Sequence, residues 1–143
     1  YPGAWTTKLA NLLGDRLIRY SRESDNQIPG VIVENTRVNF TFNKTKYLDF
    51  KKGLGVAELP LIRVDRNLFG SMEGAVIPRY FWDNADDFCR YGIGFCLVLG
   101  DQPVSMAYSA YITERQLELG IETREDYRGK GLALHACSAL IDY

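Results

Sequence analysis

The 143 residues carry 17 Lys+Arg against 18 Asp+Glu, a formal charge of -1 at pH 7, with 46% hydrophobic, 24% charged and 13% aromatic residues. That composition supplies apolar surface for one domain with an accessory piece and excludes disorder and collagen-like order. With no block of Lys or Arg, and no apolar run approaching the ~20 residues of a membrane helix, neither nucleic acid nor a membrane is the expected partner.

Over residues 5–20, Trp5, Leu9, Leu12, Leu13, Leu17 and Tyr20 recur at steps of three and four, which predicts one helix. Pro29-Gly30 then opens an extended region. Strands are predicted over 31–34 and where Val38, Phe40 and Phe42 alternate with Asn39, Thr41 and Asn43, with Tyr47, Leu48 and Phe50 continuing the run. Asn39 and Asn43 also begin glycosylation sequons, read here as turn and strand chemistry. Gly53-Leu54-Gly55 marks the expected seam between an α+β accessory region, 1–57, and the main domain, 58–143.

After a strand at 59–64, residues 71–82 and 84–91 predict two helical pieces, interrupted by Pro78, with Asn84 as the cap of the second. Residues 95–99, 104–113 and 117–123 are three β-rich runs joined by links of a few residues, which makes them an antiparallel meander. A closing helix from Leu132 meets no stop signal before Tyr143, and no initiator Met opens the chain, so a C-terminally truncated piece of a longer protein is expected. Cys89, Cys96 and Cys137 have neither zinc-ligand nor disulfide-framework spacing, so no metal is expected. The absence of a signal sequence points to the cytoplasm.

Chemistry concentrates at Arg128-Gly129-Lys130-Gly131-Leu132-Ala133, between the last strand and the closing helix. Two glycines within three residues let backbone amides converge on an anion, and the helix start adds unpaired N–H groups and its dipole. A tight turn that needs glycine only for its dihedrals is the competing reading. A P-loop is rejected because Gly131, not Ser or Thr, follows Lys130. A dinucleotide fingerprint is rejected because Leu134 stands where its third glycine belongs.

Arg128, Gly131 and Ala133, set after a meander and before a helix, resemble the acyl-CoA signature of the GNAT superfamily of N-acetyltransferases. Phe81-Trp82, Gly94-Phe95-Cys96, Gly120-Ile121-Glu122-Thr123 and the stretch from Tyr127 to Ala133 are similar to its zwittermicin-resistance-type branch. The resemblance implies an α/β fold with an antiparallel meander and flanking helices, and acetyl-CoA as cosubstrate. It implies that Gly129, Lys130, Gly131, Leu132 and Ala133 hold the pyrophosphate through their amides. Arg128 would support the turn or reach a phosphate, and the backbone around Ile121, Glu122 and Thr123 would pair with pantetheine. The thioester would then lie beside the middle of that strand. The family's later strand and helix, which carry a tyrosine acid, have no counterpart here.

An amine acceptor must lose a proton before attacking a thioester, and a carboxylate can take it. Glu118 and Glu122 share a strand face by their even spacing and are the candidate bases, Glu118 first. His135 lies off the apolar stripe of its helix, Cys96 and Cys137 read as small apolar side chains, and Tyr80, Phe81 and Trp82 are acceptor-pocket candidates only. The expected function is acetyl transfer to an amine of a small molecule. Its rivals are a catalytically silent CoA-binding module and an interaction domain. An open sheet edge would also admit a second copy as partner, in a homodimer.

Overall fold

The computed structural model describes residues 3–19, 30, 32–34 and 40–143. The chain divides into two compact units, Tyr1–Asn43 and Lys44–Tyr143. In the first, helix α1 spans Gly3–Leu13 and strands β1, Leu17–Arg19, and β2, Ile32–Glu34, pair in parallel. The helix expected over 5–20 therefore stops seven residues early. Gly14 takes a left-handed φ of 51°, an ordinary way for glycine to end a helix, and the chain re-emerges as β1.

The second unit opens with α2, Lys44–Gly53, where an extended run through Tyr47, Leu48 and Phe50 was expected. Helical spacing aims Tyr47 and Lys51, four residues apart, at one acceptor. Tyr47 Oη donates to Asp142 Oδ1 at 2.7 Å and lies 3.1 Å from the Ser138 carbonyl, and Lys51 Nζ meets Asp142 Oδ2 at 2.6 Å. That anchorage to the closing helix overrides the alternating pattern. Phe40 and Phe42 lie in irregular chain, while Val38 and Asn39 fall outside the described residues. The Gly53–Gly55 seam lies inside this unit, at the end of α2.

Strand β3, Leu61–Arg63, leads into α3, Arg66–Ser71, capped by Asp65, whose side chain accepts from the Leu68 amide at 2.9 Å. A helix over 71–82 is not formed. The Asp65 cap starts it earlier, and residues 72–77 run as a loop until Pro78 begins a short 3₁₀ turn, Pro78–Tyr80. Helix α4, Ala85–Tyr91, is capped by Asn84 as the sequence indicates, with the Asp87 amide 2.8 Å from Asn84 Oδ1. Strands β4, Gly94–Leu99, β5, Gln102–Ile112, and β6, Leu117–Thr123, form the predicted meander. The sheet order is β3-β4-β5-β6, antiparallel throughout, so β6 is an outer strand.

Helix α5, Leu132–Asp142, closes the unit. Its Ala136 and Leu140 bury against Ile93 and Ala107 on one sheet face. On the other, Leu68, Phe69 and Phe88 of α3 and α4 pack on Cys96, Met106 and Tyr108. Side chains alternate across a strand, so this two-sided burial is what makes β4 and β5 apolar along nearly their whole length. Among the described residues no helix is long and apolar enough to cross a membrane.

Candidate functional site

The site is organised by β6. Glu118, Gly120 and Glu122 share the face that carries Met106 and Tyr108, because Met106 pairs with Glu122 and Tyr108 with Gly120. The Arg124 amide donates to the Val104 carbonyl at 3.0 Å, which fixes the parity of the ladder: Gly120 and Glu122 turn their backbone groups toward β5, and Ile121 and Thr123 turn theirs outward. Outward-facing amide and carbonyl groups at Ile121 and Thr123 are what an extended ligand chain would need.

Thr123 is already engaged on that side. Its amide donates to Glu122 Oε1 at 3.2 Å, and its carbonyl accepts from Arg128 Nε at 3.0 Å. Arg128 also reaches Glu122 Oε1 at 3.3 Å. Arg128 thus bonds back to the end of β6 and to Glu122. Lys130, exposed, folds back along the turn, with Nζ 3.0 Å from the Asp126 carbonyl and 4.9 Å from the Tyr127 ring centroid.

The turn itself takes left-handed φ at Gly129, 76°, and at Gly131, 74°, so both glycines are required by backbone geometry. Among the described residues, and apart from the chain neighbours, no atom lies within 4 Å of the position a Cβ would occupy at either one. Gly131 precedes α5 without any side-chain cap, leaving the first amides of the helix to another acceptor. An open, uncapped cradle of this kind fits an anionic group such as a coenzyme pyrophosphate.

Glu118 and Glu122 differ sharply. Glu118 is exposed, beside a bulge where Ala110 is the extra residue of β5. Glu122 is 7% exposed. Its Oε2 accepts from the Ala75 and Val76 amides at 2.8 and 2.9 Å, and its Oε1 takes the Thr123 and Arg128 donors. Burial pushes this carboxyl up, but the Val76, Ala75, Thr123 and Arg128 donors outweigh burial and hold it below the ordinary carboxylate range. The 72–77 loop can come this close only because Gly74 is bare: a Cβ there would lie 2.5 Å from the Glu122 carboxylate.

The loop amides and Tyr108 were not among the sequence candidates. Gly120 in the middle of a strand was the available signal, since such glycines mark a close approach. The Tyr108 ring crosses it, with Cζ 2.3 Å from the place of a Gly120 Cβ. Trp82 is a brace: its indole donates to the Ser109 carbonyl at 2.7 Å. Tyr80 and Phe81 are exposed. His135 is half-buried on α5, in a cleft of about 440 Å³ with Lys51, Leu59 and Asp142. Burial pushes the Cys96 thiol up to about 12 and raises that of Cys137, so neither offers a thiolate at neutral pH.

Comparison with known proteins agrees with this layout. The chain is 30% identical over 97 residues to the uncharacterized N-acetyltransferase YdfB of Bacillus subtilis (strain 168), covering 66% of this chain and 37% of that protein. The crystal structure of a GCN5-related N-acetyltransferase-like protein from Streptococcus suis 89/1591 shares the fold, with a TM-score of 0.62 at 24% identity over 96% of this chain and 52% of that one. The chain thus spans between about a third and a half of the length of these relatives. A family profile described as GNAT acetyltransferase matches residues 31–143, taking in the whole four-stranded sheet and the glycine turn, and the chain belongs to that family.

Proposed function

We propose that this chain carries the acyl-donor site of an N-acetyltransferase that moves an acetyl group from acetyl-CoA to an amine of a small molecule. The observation that carries the reading is the open, uncapped turn at Gly129 and Gly131, set at the end of an outer strand whose Ile121 backbone faces outward. Gly129 to Ala133, Lys130 among them through its amide, would hold the pyrophosphate, with Leu132 anchoring the start of α5 in the core. Ile121 and Thr123 would line the pantetheine arm, Thr123 through a site it shares with Arg128. Acetyl-CoA supplies an activated acyl group whose carbonyl carbon an amine can attack, forming C–N as C–S breaks.

The chain's own part is to orient that bond and take a proton. Glu118, open to solvent on the face shared with Gly120, is the base we favour, directly or through one water. The four donors on Glu122 leave its carboxylate poorly suited to accept a proton, and its role is to hold the 72–77 loop and Arg128 in place. The resemblance to the zwittermicin-resistance branch supports an amino-bearing small molecule as acceptor, acting in the cytoplasm. The engagement of Glu122 favours one alternative, a CoA-binding module without turnover.

Calorimetric titration with acetyl-CoA, desulfo-CoA and ATP tests the donor site. Micromolar-range binding of both coenzyme ligands with weak ATP binding is expected. No binding by the folded chain overturns the reading. Turnover with an amine screen, lost in Glu118→Gln while coenzyme affinity is kept, distinguishes the enzyme from the silent module.

A further inference from the structure

Among the described residues, Tyr108 Oη is the one buried side-chain polar atom without a hydrogen-bond partner. The side chain is 0% exposed. It is wedged between Phe81, ring centroid 5.9 Å away, and Phe88, at 6.5 Å. Its hydroxyl lies 2.6 Å from where a Gly120 Cβ would stand, over the backbone of the outer strand and on the same face as Glu118 and Glu122. Leaving a buried hydroxyl unpaired is costly, and a phenylalanine would fill the same space without that cost. Gly120, likewise, is a poor strand residue that here keeps a path clear for the phenol. Two unfavourable choices at one spot point to a ligand.

We propose that the Tyr108 hydroxyl donates a hydrogen bond to the thioester carbonyl oxygen of the bound acyl donor, at the middle of β6. The inference rests on the acetyl-CoA reading above. That oxygen gains negative charge as an amine attacks, and a donor fixed in a dry site stabilises charge without reorganising. Burial, and then the Glu122 charge, raise the phenol well above its ordinary range, so it keeps its proton to donate. Contact requires a neighbour to yield, and Phe81, 46% exposed, is the one against the ring with room to turn.

The test is Tyr108→Phe, titrated with acetyl-CoA and with desulfo-CoA, which lacks the thioester. The expected result is a loss of about three- to tenfold for acetyl-CoA, the worth of one hydrogen bond, with desulfo-CoA affinity unchanged. The melting temperature should hold or rise. In infrared difference spectra, the isotope-labelled thioester carbonyl should absorb at lower frequency on the wild type than on the variant. Equal affinity changes for both ligands, no change for either, or a lowered melting temperature would overturn the inference. Failure of the wild type to bind either ligand would instead defeat the acetyl-CoA reading on which it rests.

Discussion

Two glutamates of one strand, on one face and four residues apart, live in opposite surroundings. Glu118 stands at the open end of β6 beside the Ala110 bulge, while Glu122 is sealed under the 72–77 loop and receives four hydrogen bonds. Strand geometry alone made them equivalent. Tertiary packing separates them: a loop with a bare Gly74 reaches only one. A carboxylate becomes a clamp where backbone amides converge on it, as they do on Glu122, whereas Glu118 keeps its exposure to solvent.

Mutation of each glutamate breaks the comparison in a different observable. Glu118→Gln should lower kcat by about 10²- to 10⁴-fold, the usual worth of general-base help, with stability within about 0.5 kcal/mol of wild type. A variant with full turnover would remove Glu118 from the chemistry. Glu122→Gln should act chiefly on the fold. Its amide nitrogen would confront backbone donors, leaving one or two unsatisfied at about 1–3 kcal/mol each in chemical denaturation. Gly74→Ala sharpens the same point from the loop side. A methyl 2.5 Å from the carboxylate should cost about 1–3 kcal/mol by overpacking, and its effect should shrink when combined with Glu122→Ala.

The smallest expected effect is in pH dependence. The folded-state pKa of Glu122 lies below its unfolded value, so its contribution is present above the unfolded carboxylate range. It is lost as pH falls through that range toward the folded value. Thermal melts from pH 7 into the acid range should show a shallower acid limb in Glu122→Gln than in wild type. Identical limbs would mean that the clamp contributes no linkage.

The meander, its short links and the Asn84 cap were legible because they depend on local pattern and turn length. The helix over 5–20 was overextended because its apolar spacing ran on through Gly14, whose left-handed backbone ends it. The α2 segment reads as extended from its own residues because its helix is secured by Asp142, more than ninety residues away. At the site, the glycine turn could be read from composition, and so could the shared face of the two glutamates. Their different fates could not, since nothing near Glu122 in sequence announces the amides of Ala75 and Val76. Tyr108 was hidden for the same reason, although Gly120 marked the place.

The local engagement of Arg128 and Lys130 bears on ionic strength. The two cations within the glycine turn, Arg128 and Lys130, are directed to Thr123, Glu122 and Asp126, and the cradle itself is built from uncharged N–H groups. Grip through fixed dipoles at short range is screened far less by mobile ions than attraction between separated full charges. An anion held there should therefore lose little affinity between dilute buffer and physiological salt, and its recognition would rest on the shape of the backbone rather than on the count of positive side chains.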